Sequence, residues 1–221
     1  MNKLWVFGDS FSAGFDLSLS PKHLWRKEYI EWKGMIPPTY YELLSQHYDM
    51  KVVNYSGDGN SNYQIFQTFC DVSPYINSND YVIFNWSETS RFRLVDNKDS
   101  WQTIGSWHLN NKLNGFDNLS QTTIDEILFN RINNQNHQIG EVHSWITLIN
   151  AYLSNCKVIH WTPFNQSNLY KVLDMSHLTT IKQETNGKID DSHFGEIGHL
   201  QLFNELKLQY DIYKDGFKKI F

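Results

Sequence analysis

Two short segments near opposite ends of the chain carry residue types that do chemistry together. Gly8-Asp9-Ser10 follows the apolar run Leu4-Trp5-Val6-Phe7, and Asp190-Asp191-Ser192-His193 precedes Gly198-His199 and an apolar-periodic tail. A serine hydroxyl is a weak nucleophile until a histidine takes its proton, and that histidine needs a third group to hold its tautomer. A serine on the turn after a first strand, with Asp-x-x-His far along the chain, supplies all three parts. Such a triad is defined by geometry and role, so a long separation in sequence is no obstacle.

The elements that must position these residues alternate in type. Lys3–Gly8, Lys51–Tyr55, Tyr81–Trp86 and Lys157–Thr162 read as strands. The third is nearly continuous in apolar residues, as a strand covered on both faces should be. Pro38–Tyr48, Asn62–Tyr75, Ile124–Asn133, Val142–Leu153 and Glu196–Tyr213 read as helices, the last with Leu200, Phe203, Leu206 and Tyr210 inward. This order predicts an α/β fold with a central parallel sheet and helices on both faces. Sites in such sheets gather at the carboxyl ends of the strands. Ser10, Gly57, Gly59 and the segment Trp86–Arg91 all fall there.

Two stretches exceed this pattern, Asp16–Pro37 and Phe92–Thr122. Loops of that length in a compact domain usually serve function. Their Trp25, Trp32, Trp101 and Trp107 favour ordered segments that wall the site, and flat rings with apolar faces and polar edges suit a sugar or an acyl chain. Trp25, Trp32 and Trp107 are therefore candidates for substrate contact. The expected organisation is one domain over residues 1–221, carrying aromatic-rich insertions at 16–37 and 92–122.

Composition excludes several classes. The 221 residues fit one domain, and 40% hydrophobic with 15% aromatic content fits a folded globule. A net charge of −5 without a basic block argues against nucleic acid as a partner. No window approaches the ~18 apolar residues of a membrane span, and the N-terminus lacks a signal-peptide pattern, so the cytoplasm is the expected compartment. Cys70 and Cys156 lack metal-ligand spacing and are expected as buried free thiols.

Gly8-Asp9-Ser10 after a hydrophobic strand, the glycines of Asn54-Tyr55-Ser56-Gly57-Asp58-Gly59-Asn60-Ser61-Asn62, and Asp190-x-x-His193 followed by Gly198-His199 together resemble the SGNH (GDSL-type) hydrolase superfamily. The resemblance implies a three-layer, flavodoxin-like sandwich and hydrolysis of a small or glycan ester through an acyl-serine, with no metal and no cofactor. A catalytically silent binding module and an acyltransferase are the alternatives on the same fold. Carried over by position, Ser10 matches the nucleophile, His193 the base and Asp190 the orienting carboxylate. Asp191 stands at Asp-x-His spacing and is the alternative. Asp174-Met175-Ser176-His177 repeats the Asp-x-x-His spacing but lacks the glycine, histidine and terminal helix that follow His193 in the family pattern.

The family spacing gives Gly59 an oxyanion N–H beside that of Ser10, with Gly57 as the alternative. The third family element departs from the expected Gly-x-Asn-Asp: here stands Asn85-Trp86-Ser87-Glu88-Thr89-Ser90-Arg91. Asn85 is expected to point into the core. Ser87, Thr89 and Asn62 are open candidates for the side chain that completes the oxyanion hole. Asp9 reads as a structural acceptor for the turn and His199 as a packing residue. Arg91 could bind a substrate carboxylate, with an ion pair to Glu88 as the plainer reading.

Overall fold

A computed structural model describes residues 1–15, 24–98, 101–108, 120–165, 169 and 172–214, apart from the side chains of Trp101, Trp107, Tyr213 and Lys214. In chain order the elements are β1 (Lys3–Phe7), α1 (Ser10–Ala13), α2 (Leu24–Lys33), α3 (Tyr40–Tyr48), β2 (Lys51–Asn54), α4 (Asn62–Val72), β3 (Tyr81–Asn85), β4 (Phe92–Val95), β5 (Trp101–Ile104), α5 (Gln121–Asn133), α6 (Gln135–Tyr152), β6 (Lys157–Thr162), β7 (Leu173–Asp174), α7 (Ile181–Glu184) and α8 (Glu196–Lys214).

Five strands form one parallel sheet in the order β2-β1-β3-β6-β7. Counting only these strands, this is the flavodoxin-like order, whose switch point lies between β1 and β3. Both strands are buried along nearly their whole length. Side chains alternate across the sheet, as strand geometry requires. Leu4, Val6, Ile83, Ile159 and Trp161 join one core with Tyr40 and Leu44 of α3 and Leu202, Leu206 and Tyr210 of α8. Trp5, Phe7, Val82 and Phe84 join the other with Ile65 and Phe69 of α4 and Ile139, Val142, Ile146 and Ile149 of α6. Helices therefore cover both faces, and the fold is the expected three-layer α/β sandwich.

Local signals start the helices beside the site. Thr39 and Glu42 form a reciprocal capping box on α3, and Ser61 and Gln64 form one on α4. Four details differ from the sequence reading. The first insertion contains a helix, α2, whose Trp25 and Tyr29 are one turn apart and both buried. Its charged residues hide that stripe in a sequence count. The second insertion contains an antiparallel hairpin, β4–β5, with Phe92 and Leu94 packed on Ile104, Ile124 and Leu128. On α8 the inward stripe runs Leu202, Leu206, Tyr210, and Leu200 is exposed. Cys70 is exposed and Cys156 half-buried, because the buried stripe of α4 is carried by Ile65 and Phe69. Among the described residues no helix is long and apolar enough to cross a membrane.

Candidate active site

Ser10 opens α1, directly after β1 and one residue beyond the buried Asp9. Asp9 caps this turn: its Oδ1 accepts from the Phe11 N–H at 3.0 Å, and its Oδ2 accepts from Ser87 Oγ at 2.9 Å and Arg91 Nη1 at 3.1 Å. A short buried carboxylate thus satisfies a backbone donor and two side chains at once. Asn85 is fully buried, and its Oδ1 accepts from the Asp9 N–H at 3.2 Å. A Cβ on Gly8 would lie 2.7 Å from that of Asn85, so the close approach of the two strand ends requires glycine.

His193 Nε2 lies 2.7 Å from Ser10 Oγ. Its Nδ1 lies 2.7 Å from Asp191 Oδ1, which also accepts the His193 backbone N–H at 2.8 Å. The partner of His193 is therefore Asp191 and not Asp190. The Asp190 side chain is 81% exposed and pairs with Lys182 Nζ at 2.8 Å. Two backbone bonds hold this non-helical segment on α7, Lys182 N–H to Asp191 O at 2.9 Å and Ile181 N–H to His193 O at 2.7 Å. Neighbouring side chains leave such a segment on opposite sides, so only one carboxylate can face inward. The imidazole is clamped between Phe11, at a centroid distance of 4.6 Å, and the parallel Trp25 ring, at 4.5 Å. His177 is exposed on the turn after β7.

His199 is buried among Phe15, Tyr40 and Phe194. Burial, reinforced by His193, pushes its pKa down to about 3. It packs as a neutral ring.

In the turn after β2, Gly59 takes φ +71°, a left-handed conformation that favours glycine. The Gly57 N–H donates to Gly8 O at 3.1 Å and is committed there. Among the described residues the N–H groups of Ser10 and Gly59 have no acceptor. The side-chain candidates fare differently. Asn62 is committed to the backbone of Ser87, donating to its carbonyl at 2.9 Å and accepting from its N–H at 2.6 Å. Its amide ties the start of α4 to the end of β3 and is not aimed at Ser10. The Ser87 hydroxyl is committed to Asp9. Thr89 is buried and, with Asn62 and Arg91, lines a cavity of about 340 Å³. Arg91 pairs with Asp9 instead of Glu88, which accepts from Ser106 Oγ at 3.0 Å, because Asp9 presents a buried carboxylate at the strand end.

Several residues that order the site carry no spacing signal. Asn60 Nδ2 donates to Gly8 O at 2.9 Å. Arg26 of α2 is fully buried; its Nε donates to Gly14 O at 2.7 Å and its two terminal nitrogens to the carboxylate of Asp58, between Gly57 and Gly59. The Arg26 guanidinium also lies 4.8 Å from the Trp25 ring centroid. Helix α2 thereby touches both His193, through Trp25, and the glycine turn, through Arg26. Trp32 instead stacks on Tyr29 at 5.7 Å. The side chains of Trp101 and Trp107 lie outside the described residues. No group of three or more His, Cys, Asp or Glu that could hold a metal ion occurs among the described residues.

No protein-family model and no curated protein matches the chain. Solved structures do. A psychrotrophic esterase, EstA, from a Pseudoalteromonas species, solved inhibited by monoethylphosphonate, is 11% identical with a TM-score of 0.50, covering 98% of this chain and 100% of its own. A lipase/acylhydrolase from Enterococcus faecalis is 14% identical with a TM-score of 0.42 over 97% of each chain. The likeness to the Pseudoalteromonas esterase is one of fold, and that fold is the α/β sandwich that the resemblance to the SGNH superfamily implies.

Proposed function

We propose that this chain is a single-domain serine esterase of SGNH type, hydrolysing a small ester through an acyl-serine. The observation that carries the reading is the continuous relay from Asp191 through His193 to Ser10, with both links at 2.7 Å. In this reading Ser10 Oγ attacks the ester carbonyl carbon while His193 Nε2 takes its proton. Asp191 fixes the tautomer with Nδ1 protonated and stabilises the imidazolium that forms. The oxyanion accepts from the Ser10 and Gly59 N–H groups, each such donor typically contributing ~3 kcal/mol. Collapse breaks the bond to the alcohol, which leaves with the proton from His193. Water, deprotonated by the same imidazole, then attacks the acyl-serine and releases the acid.

A short-acyl ester of a small polar alcohol, including an acetylated carbohydrate, is the substrate class proposed. The test is hydrolysis of p-nitrophenyl acetate by the wild type and Ser10→Ala, with fluorophosphonate labelling of both. The wild type should label and turn over, and the variant should lose at least about 10³-fold in kcat. Full activity in the variant overturns the assignment of Ser10. Absence of labelling in the wild type favours a silent binding module.

A further inference from the structure

We infer that Trp25 is a positioning residue for the base: its indole face stabilises the charged, imidazolium form of His193. The consequence for catalysis rests on the esterase reading; the stacking does not. From the sequence Trp25 stands as a candidate for substrate contact, yet it spends a ring face on the histidine. The two ring centroids are 4.5 Å apart, and the planes lie within 9° of parallel. A cation within about 6 Å of a ring centroid is drawn to its negative face, and tryptophan offers the strongest such face. Phe11 of α1 also touches the imidazole, at 4.6 Å, but is tilted by 31°. Trp25 is 9% exposed, and among the described residues its Nε1 has no acceptor. A buried N–H without a partner is a cost, so the ring, not a hydrogen bond, is what this residue supplies.

The proposed mechanism makes that charged form at each proton transfer. As Ser10 Oγ bonds to the ester carbonyl carbon, its proton passes to His193 Nε2, and the neutral imidazole becomes a cation beside the new oxyanion. A ring face gains more from the cation than from the neutral imidazole, so it favours the transition state over the resting state. The imidazole side chain is 18% exposed, which leaves little water to stabilise the cation instead. Other titratable and charged groups come from the elements around it. Asp191 Oδ1 lies against its Nδ1 and Ser10 of α1 against its Nε2. His199 of α8 is held neutral by burial. Arg26 of α2 lies 4.8 Å from the Trp25 ring centroid and pairs with Asp58, and Lys182 of α7 pairs with Asp190. A change confined to the electrons of the indole leaves all of these in place.

The test reads the ratio of imidazolium to imidazole at His193 in the full chain, from its ring nitrogen resonances at fixed pH. Their loss in His193→Gln assigns them. Tryptophans bearing one, two and three ring fluorines, placed at position 25 alone, keep the shape of the ring and weaken its negative face. The ratio should fall at each step, about two- to fivefold over the series. On the alkaline plateau kcat for p-nitrophenyl acetate should fall in step, while KM stays within about twofold. A ratio that stays level across the series overturns the inference. Trp25→Leu keeps an apolar cover and removes the face, and it should also lower the ratio. A ratio raised in that variant makes Trp25 only a shield, because water admitted to the ring favours the cation, and this too overturns the inference. If the wild type hydrolyses no ester, the esterase reading falls, while the ratio still decides whether Trp25 stabilises the imidazolium.

Discussion

A single carboxylate oxygen of Asp191 serves both the backbone N–H and the ring Nδ1 of His193. Both groups are only 18% exposed, so water competes weakly for the bond. Asp190, one residue away, faces solvent. Asp191→Asn should lower kcat by about 10³- to 10⁴-fold, because an amide can present its N–H to the ring and stabilise the wrong tautomer. Asp190→Asn breaks only an exposed ion pair, worth ~0–1 kcal/mol, and should leave kcat within about twofold. Steady-state kinetics on both variants checks the pair, and the reverse ranking would return the role to Asp190.

Helix α2 acts as one piece on the site. Its Trp25 lies flat on His193, and the next residue, Arg26, forms a buried two-pronged pair with Asp58. Removing one partner of a buried pair strands the other charge and costs about 3–5 kcal/mol. Arg26→Ala should therefore lower stability by about 3 kcal/mol in a urea titration. It should also lower kcat more than it raises KM, since in the proposed mechanism the Gly59 turn that Asp58 anchors serves the transition state. Arg26→Lys keeps the charge without the fork and should recover part of kcat. An unchanged kcat in the folded Arg26→Ala protein would reduce α2 to packing.

Over the whole molecule, one buried histidine ties folding to pH. His199, 2% exposed, has a folded pKa of about 3 against an ordinary 6.5, chiefly through burial. As pH falls below 6.5 the unfolded chain takes up this proton first, and the folded state does so only near pH 3. Stability is thus fully present above the unfolded value and declines across that window at about 1.4 kcal/mol per pH unit for this one group. Among the described residues His199 Nδ1 has no partner, and its neighbours are aromatic, so phenylalanine suits the pocket. His199→Phe should shrink the gap between urea midpoints at pH 7 and pH 4.5. An equal gap in both proteins would place the acid sensitivity elsewhere.

The layered fold was legible in the chain because it rests on local periodicity. Alternating Leu4, Trp5, Val6 and Phe7 must present opposite faces of a strand, and a short apolar run between helical patterns has little choice but a parallel sheet. Ser10 at the first strand end follows from covalent adjacency alone. Element edges were less legible: β7 is two residues long, and the apolar stripe of α2 is interrupted by charge. The choice of Asp191 over Asp190, the binding of Asn62 to Ser87, the turn of Arg91 toward Asp9 and the pairing of Arg26 with Asp58 were decided only by the tertiary structure. The last three join residues dozens of positions apart or hang on which charge is buried nearest, and spacing rules do not reach that far. The first hangs on which of two adjacent side chains turns inward, and backbone bonds to a helix elsewhere in the fold set that.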